Sequence, residues 1–185
     1  MRSFLVLFDK MPIDKATVKK GENAPQVVIA ARCVNVGLFL SNALRRDVEV
    51  IFGIHNEGIL NTIRFRGETL RRVSPDERSI AFFLLKASVE LDNLLEGSER
   101  TMDNGIIVKR TTLERLISEW SYGQVFAAVT ESDSSIGDVK TSDGLFVYSC
   151  GKNSLPMLRK YGALKRPTTA EKFILDVNIH FDSRN

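Results

Sequence analysis

The chain has 185 residues, 43% hydrophobic and 26% charged, with a net charge of +3. These values suit one domain over residues 1–185 and exclude disorder, collagen and coiled coil. No apolar run reaches the ~18 residues of a membrane helix, and the run at residues 4–8 stops at Asp9-Lys10, too short for a signal-peptide core.

Residues 4–8 are continuously apolar and predict a buried strand, followed by a polar loop over residues 10–23. Pro25 opens a helix in which Val27, Ala30, Ala31, Val34 and Leu38 recur at helical spacing, with its end near Leu44. Residues 48–54 and 59–65 predict two strands joined by a turn. Ser74-Pro75-Asp76-Glu77 reads as a capping box with Ser74 as the cap, ahead of the stripe Ile80, Phe83, Leu84, Ala87, Leu91 and Leu94. A loop at 97–104 leads to a strand at 105–110, and Thr111 with Glu114 caps a short helix. Strands at 125–130 and 145–150 enclose an acidic loop. A short helix at 156–161 is ended by Gly162, and Thr168 with Glu171 caps a last helix reaching about Phe181. This alternation predicts an α/β fold, a largely parallel sheet flanked by helices. Ligands in such sheets bind beyond the carboxyl ends of the strands. Here that means the loops after Thr130 and Cys150 and the turn before Ala170.

Chemistry is narrowed by what is missing. Phosphate-loop, dinucleotide, zinc-protease and hydrolase signatures are all absent. Cys33 and Cys150 are the only cysteines, which removes a disulfide framework and points to a reducing, cytoplasmic setting. His55 and His180 stand alone, so no metal is expected. Residues 21–85 contain no lysine but eight arginines: Arg32, Arg45, Arg46, Arg64, Arg66, Arg71, Arg72 and Arg78. Arginine's planar fork suits phosphate. Ion pairing with Asp47, Glu49, Glu57, Glu68, Asp76 and Glu77 explains the same run equally well.

Order along the chain adds to this. Arg32-Cys33-Val34 precedes Phe39-Leu40-Ser41, and Arg45-Arg46-Asp47-Val48 turns into a strand. Gly67, Leu70, Arg71 and Arg72 then lead to Ser74-Pro75-Asp76-Glu77-Arg78, and Gly105-Ile106, Val108 and Arg110 follow. Taken in order over residues 32–110, these segments resemble the archaeal tRNA pseudouridine(54) N(1)-methyltransferases, S-adenosylmethionine-dependent enzymes of the SPOUT class. The carboxyl third departs from that pattern: Ser149-Cys150-Gly151-Lys152-Asn153-Ser154 runs directly into the next helix, and Thr168-Thr169-Ala170 stands at the family's cofactor turn.

The resemblance implies a SPOUT domain with a carboxyl-terminal trefoil knot, working as a homodimer on tRNA without metal. It implies that S-adenosyl-L-methionine rests against Val129, Thr130, Ser149, Cys150, Gly151, Thr168, Thr169 and Ala170, with Asn178 assigned to the same pocket. Arg45, Arg46, Arg64, Arg66, Arg71 and Arg72 would hold RNA, and Asp47 and Arg78 would serve the chemistry. Aligning the reactants contributes ~7–11 kcal/mol in favourable cases, and a carboxylate that takes the ring proton adds ~10²–10⁴-fold. Two alternatives stay open: a non-catalytic RNA-binding paralogue, and a protein-interaction scaffold on the same fold.

Overall fold

The computed structural model describes residues 1–152 and 155–183; Asn153 and Ser154, in the turn discussed above, lie outside the described residues, as do residues 184–185. β1 (Arg2–Phe8) is the pivot, seven residues buried throughout. It lies between parallel neighbours β2 (Val48–Asn56) and β7 (Gly144–Ser149). Beyond β7, β6 (Val125–Val129) and β8 (Gly162–Lys165) continue the parallel run. On the other side β3 (Ile59–Arg66), β5 (Ile107–Thr111) and β4 (Glu99–Thr101) pair antiparallel, giving the order β4-β5-β3-β2-β1-β7-β6-β8. The reversal between β2 and β3 follows from one turn. Glu57 and Gly58 both have positive φ, 47° and 87°, a two-residue hairpin too short for a parallel crossover.

Two apolar layers cover the sheet. Phe4, Val6, Phe8, Val50, Phe52, Phe65 and Phe146 face one way, beneath α1 (Lys15–Lys20), α2 (Pro25–Leu38), α3 (Glu77–Asp92) and α6 (Ala170–Asp182). Leu5, Leu7, Ile51 and Val147 face the other, beneath α4 (Leu113–Ile117) and α5 (Leu155–Leu158). A Cβ on Gly37 would sit 2.6 Å from Val50 Cγ2, so glycine there lets α2 lie close on β2.

Several expected boundaries move. α2 ends at Leu38, not near Leu44: Phe39 is extended and bridges Leu44, and Arg45 N–H returns to the Leu38 carbonyl at 2.8 Å. Ser41 and Asn42, which favour turns over helix interiors, lie in that loop. The expected loop at 10–23 contains α1, capped by Asp14, whose carboxylate accepts from Ala16 and Thr17 N–H, and closed by Gly21 at φ 77°. The caps of the other helices fall one or two residues later than expected. Asp76, not Ser74, caps α3 through Ser79 N–H at 2.8 Å; Thr112 caps α4 and Thr169 caps α6. Gly162 opens β8 instead of ending a helix, and β4 occupies part of the loop expected at 97–104.

Candidate functional site

β1, β2, β7, β6 and β8 run in one direction, so their carboxyl ends share an edge. There the segments after β6, β7 and β8 enclose a cavity of about 280 Å³. Its walls are Ala128, Val129, Thr130, Glu131, Cys150, Gly151, Lys152, Arg159 and Arg166. Arg166 fastens them together. Its N–H donates to the Val129 carbonyl at 3.2 Å, Nη2 donates to the Ser149 carbonyl at 2.7 Å, and its guanidinium lies 4.0 Å over the Tyr148 ring. Tyr148 hydroxyl in turn donates to the Pro167 carbonyl at 3.0 Å. Asp9, just past β1, holds the third side: its Oδ2 accepts from Lys152 N–H at 3.0 Å. A Cβ on Gly151 would fall 2.1 Å from Asp9 Oδ1, so only glycine admits that carboxylate.

The edge therefore gathers most of the expected cofactor residues. Val129, Thr130, Cys150 and Gly151 form the wall. Ser149 is buried behind it, its Oγ donating to the Gly151 carbonyl at 2.8 Å. Thr168, Thr169 and Ala170 follow Arg166 directly and begin α6, where Thr169 Oγ1 accepts from Lys172 N–H. Asn178 is a correction. It lies far along α6, fully buried, accepting from Arg2 and donating to the Val36 and Gly37 carbonyls at 3.1 Å, and takes no part in the crevice. The cavity opens beside a shallower groove of about 730 Å³ that shares Val129, Glu131 and Arg159 and adds Ser132, Asp133 and Ser134. Together they reach the size usual for cofactor sites, which the cavity alone does not.

Thiol chemistry is shut off at this edge. Burial pushes the Cys150 thiol up to about 11; Arg166 opposes the shift and Glu171 adds to it. Burial raises Cys33 well above the ordinary thiol value. Both are protonated at neutral pH and serve as neither nucleophile nor base. Two charged atoms nearby, Arg166 Nη1 and Glu171 Oε2, are buried without a hydrogen-bond partner among the described residues.

The remaining expected residues lie elsewhere. Asp47 is exposed at the start of β2, on the opposite edge of the sheet; its backbone carbonyl accepts from Arg2 N–H, and its carboxylate has no ion pair among the described residues. β7, which spans the two edges, has six residues, about 20 Å of strand. Arg78 stands exposed in the first turn of α3. The arginines divide into two groups. Arg45 bonds to Asp182 and the Val36 carbonyl, Arg46 to the Gly67 carbonyl, Arg64 to Glu119 at 2.9 Å, and Arg66 to Glu68 at 3.2 Å. Burial works against ionising Glu119, yet the hydrogen bonds from Arg64 and Lys109 outweigh it and hold the carboxyl below its usual range. Arg71 and Arg72 are exposed and free of ion pairs among the described residues, and Arg72 sits at φ 58°. Its left-handed backbone is one that a non-glycine residue holds at a cost.

Sequence reasoning missed Asp9, Lys152, Arg159 and Arg166. Arg166-Pro167 carried a usable signal, because the residue before proline is extended and lies on the path from β8 to α6. Asp9 acts across the sheet on Lys152, and no local pattern marks such a pair. Among the described residues, no group of three His, Cys, Asp or Glu is placed to hold a metal ion, and no helix is long and apolar enough to cross a membrane.

Comparison with known proteins supplies the family. The structure is similar to Archaeoglobus fulgidus Nep1, solved bound to S-adenosylhomocysteine, with a TM-score of 0.58 and 13% identity, covering 98% of this chain and 100% of that one. The fold is thus that of SPOUT methyltransferases. In sequence the chain is 29% identical over 173 residues to the tRNA (pseudouridine(54)-N(1))-methyltransferase of Methanocorpusculum labreanum, covering 87% of this chain and 85% of the relative. It is 29% identical over 152 residues to the enzyme of the same name from Haloferax volcanii, covering 80% and 75%. A family profile described as "Putative SAM-dependent RNA methyltransferase" matches residues 1–161, taking in β1, the strand β3 that carries Arg64 and Arg66, and the crevice walls at Val129 and Gly151. The chain belongs to this family of S-adenosylmethionine-dependent RNA methyltransferases.

Proposed function

We propose that this chain methylates N(1) of pseudouridine 54 in the T loop of tRNA, in the cytoplasm, as a homodimer of one SPOUT-type domain per chain. The observation that carries the reading is the crevice at the carboxyl edge of β6 and β7, in a chain that aligns with enzymes of that name over most of its length. The residues there fit S-adenosylmethionine. Ala128 and Val129 offer an apolar wall for a purine, Lys152, Arg159 and Arg166 offer cations for a carboxylate, and Arg166 Nη1 lacks a partner. The cofactor supplies an electrophilic methyl carbon on a sulfonium. Thr130, Cys150, Gly151 and the start of α6 at Thr168 to Ala170 would hold it by their backbone, and Asp9 keeps the turn at Gly151 in place. The knot of the family belongs to the same proposal, at the passage of residues 162–169 beside the ends of β6 and β7.

Asp47 would accept the ring N–H proton of pseudouridine as that nitrogen takes up the methyl group. Arg71 and Arg72, without ion pairs among the described residues, balance the charge at the target base, and Arg78 that of neighbouring phosphates. Because Asp47 and the crevice lie on opposite edges of one sheet, Asp47 serves the crevice of a second copy. Leu175 and Ile179 leave an apolar stripe on α6, 40% and 58% exposed, and Leu40, 48% exposed, continues it toward Asp47. Antiparallel contact along α6 about a two-fold axis sets the Asp182 end of one copy beside the Ala170 end of the other.

The test is transfer of tritiated methyl groups to tRNA transcripts carrying pseudouridine or uridine at position 54. Incorporation that requires pseudouridine is expected. A chain that binds tRNA well and methylates neither transcript overturns the enzymatic reading in favour of a non-catalytic RNA-binding protein.

A further inference from the structure

Phe82 is 44% exposed on α3 and forms a ridge between two hollows. On one side a groove of about 510 Å³ runs between α1 and α3, floored by Val18 and Leu85. Lys15, Lys19 and Arg78 rim it. On the other side a hollow of about 690 Å³ reaches Arg72 and Lys86. The ring is held in place: Phe83 meets it edge-on with centroids 5.4 Å apart, and Lys86 Nζ lies 4.7 Å from its centre. Lys15, Lys19 and Arg78 have no ion pair among the described residues. The one carboxylate lining the groove, Asp76, is engaged in capping Ser79 N–H.

A fixed aromatic face ringed by unneutralised cations is the chemistry of single-stranded nucleic acid: a base stacks on the ring while phosphates meet the charges. Protein interfaces are built differently, with lysine depleted around their aromatic anchors. We propose that the α1–α3 face holds an unpaired RNA nucleotide, its base stacked on Phe82 and its flanking phosphates on Lys15, Lys19 and Arg78. As a contact of the tRNA substrate, this rests on the reading of the preceding subsection. The nucleotide held here is not the methylated one, because the groove lies on the helical layer and the crevice lies beyond the strand ends. α1 thus contributes to recognition of the RNA around the target.

The experiment measures binding of a tRNA transcript and of an unstructured 12-nucleotide RNA, with methyl transfer assayed in parallel. Phe82→Ala and Phe82→Leu are expected to weaken both probes roughly 5- to 100-fold, while Phe82→Trp retains binding, because stacking needs the π face and not merely an apolar side chain. Lys15→Ala and Lys19→Ala are expected each to reduce the salt slope for the single strand by about 0.7. If the unmutated chain binds and methylates tRNA but all these variants bind both probes normally, the inference is overturned and the enzymatic reading stands. If the unmutated chain methylates no tRNA yet binds the 12-mer in a Phe82-dependent way, the inference stands and the enzymatic reading falls. Normal RNA binding by Phe82→Ala together with loss of self-association in light scattering would make the face a protein contact and overturn the proposal.

Discussion

Arg2 Nη1 donates to Asp182 Oδ1 at 3.0 Å while Arg45 Nε donates to Oδ2 of the same carboxylate at 2.8 Å. One side chain at the end of α6 thereby ties down the start of the central strand and the loop ahead of β2. Arg2 is 1% exposed, so removing its counter-charge strands a buried guanidinium. Asp182→Ala should lower unfolding free energy by about 3 kcal/mol, somewhat under the full cost of breaking an entirely buried pair, and Asp182→Asn by less. Urea denaturation measures both. A loss within ~0.5 kcal/mol, the range of ordinary surface changes, would show that the clamp adds nothing.

Cys150 should alkylate slowly at neutral pH, because the thiolate reacts and its thiol is pushed up to about 11. The rate with iodoacetamide should rise tenfold per pH unit until about pH 11, and S-adenosylhomocysteine should protect the residue. The same shift links pH to stability. Between the ordinary thiol value of 9.0 and about 11 the folded chain holds a proton that the unfolded chain has released, so this stabilisation is complete below about pH 9 and is lost as pH rises through about 11. A plateau in alkylation below pH 9 would contradict the burial argument.

Arg72 holds a left-handed backbone conformation with its side chain free at the surface. Arg72→Gly should therefore raise stability by about 1 kcal/mol, relieving the backbone, while weakening tRNA binding and its salt dependence. A thermal melt and a binding titration on the same variant separate the two effects. Lower stability with unchanged binding would reverse the assignment.

Asp47→Asn should fold normally, bind tRNA about as well, and lose roughly 10²-fold or more in methyl transfer. Arg166→Gln should bind S-adenosylhomocysteine more weakly but 5′-methylthioadenosine, which lacks the carboxylate, about as before. On the proposed arrangement Asp47 and Arg166 act from different copies in each site, so co-refolding the two impaired variants should restore transfer above the level of either alone. No recovery in a verified mixed dimer would place Asp47 outside the partner's site.

The sequence was legible where burial acts on both faces of an element. β1 and β7 stand out because their central runs, residues 4–8 and 145–149, carry no charge, β2 and β3 because their apolar residues alternate, and α3 because its stripe has a 3.6-residue period. Caps were ambiguous wherever two candidates adjoin. Thr111 and Thr112 differ only in that Thr111 is buried in β5, and Ser74 loses to Asp76 because Ser74 N–H turns to Ser79 Oγ. β8 shows one buried residue, Leu164, and β4 shows none, so neither had an apolar pattern to read. α1 was readable from Asp14, Lys19, Lys20 and Gly21, and overlooking it hid one wall of the Phe82 groove. The arginine run could not be partitioned from sequence alone. Only tertiary contacts show that Arg45 and Arg64 are tied up and that Arg71 and Arg72 have no ion pair among the described residues.

The position of β1 in the sheet also governs how the protein is born. β1 is made first, yet one of its edges stays unpaired until residues 144–149 arrive as β7. Its other flank is closed early by β2, and the clamp on Arg2 waits for Asp182. On the ribosome the nascent chain therefore carries a half-built, sticky sheet through most of its synthesis, and a product stopped before α6 lacks the helix that fastens β1. Interrupted translation thus yields chains whose central strand is left unfastened, because α6, which locks it, emerges after every strand of the sheet.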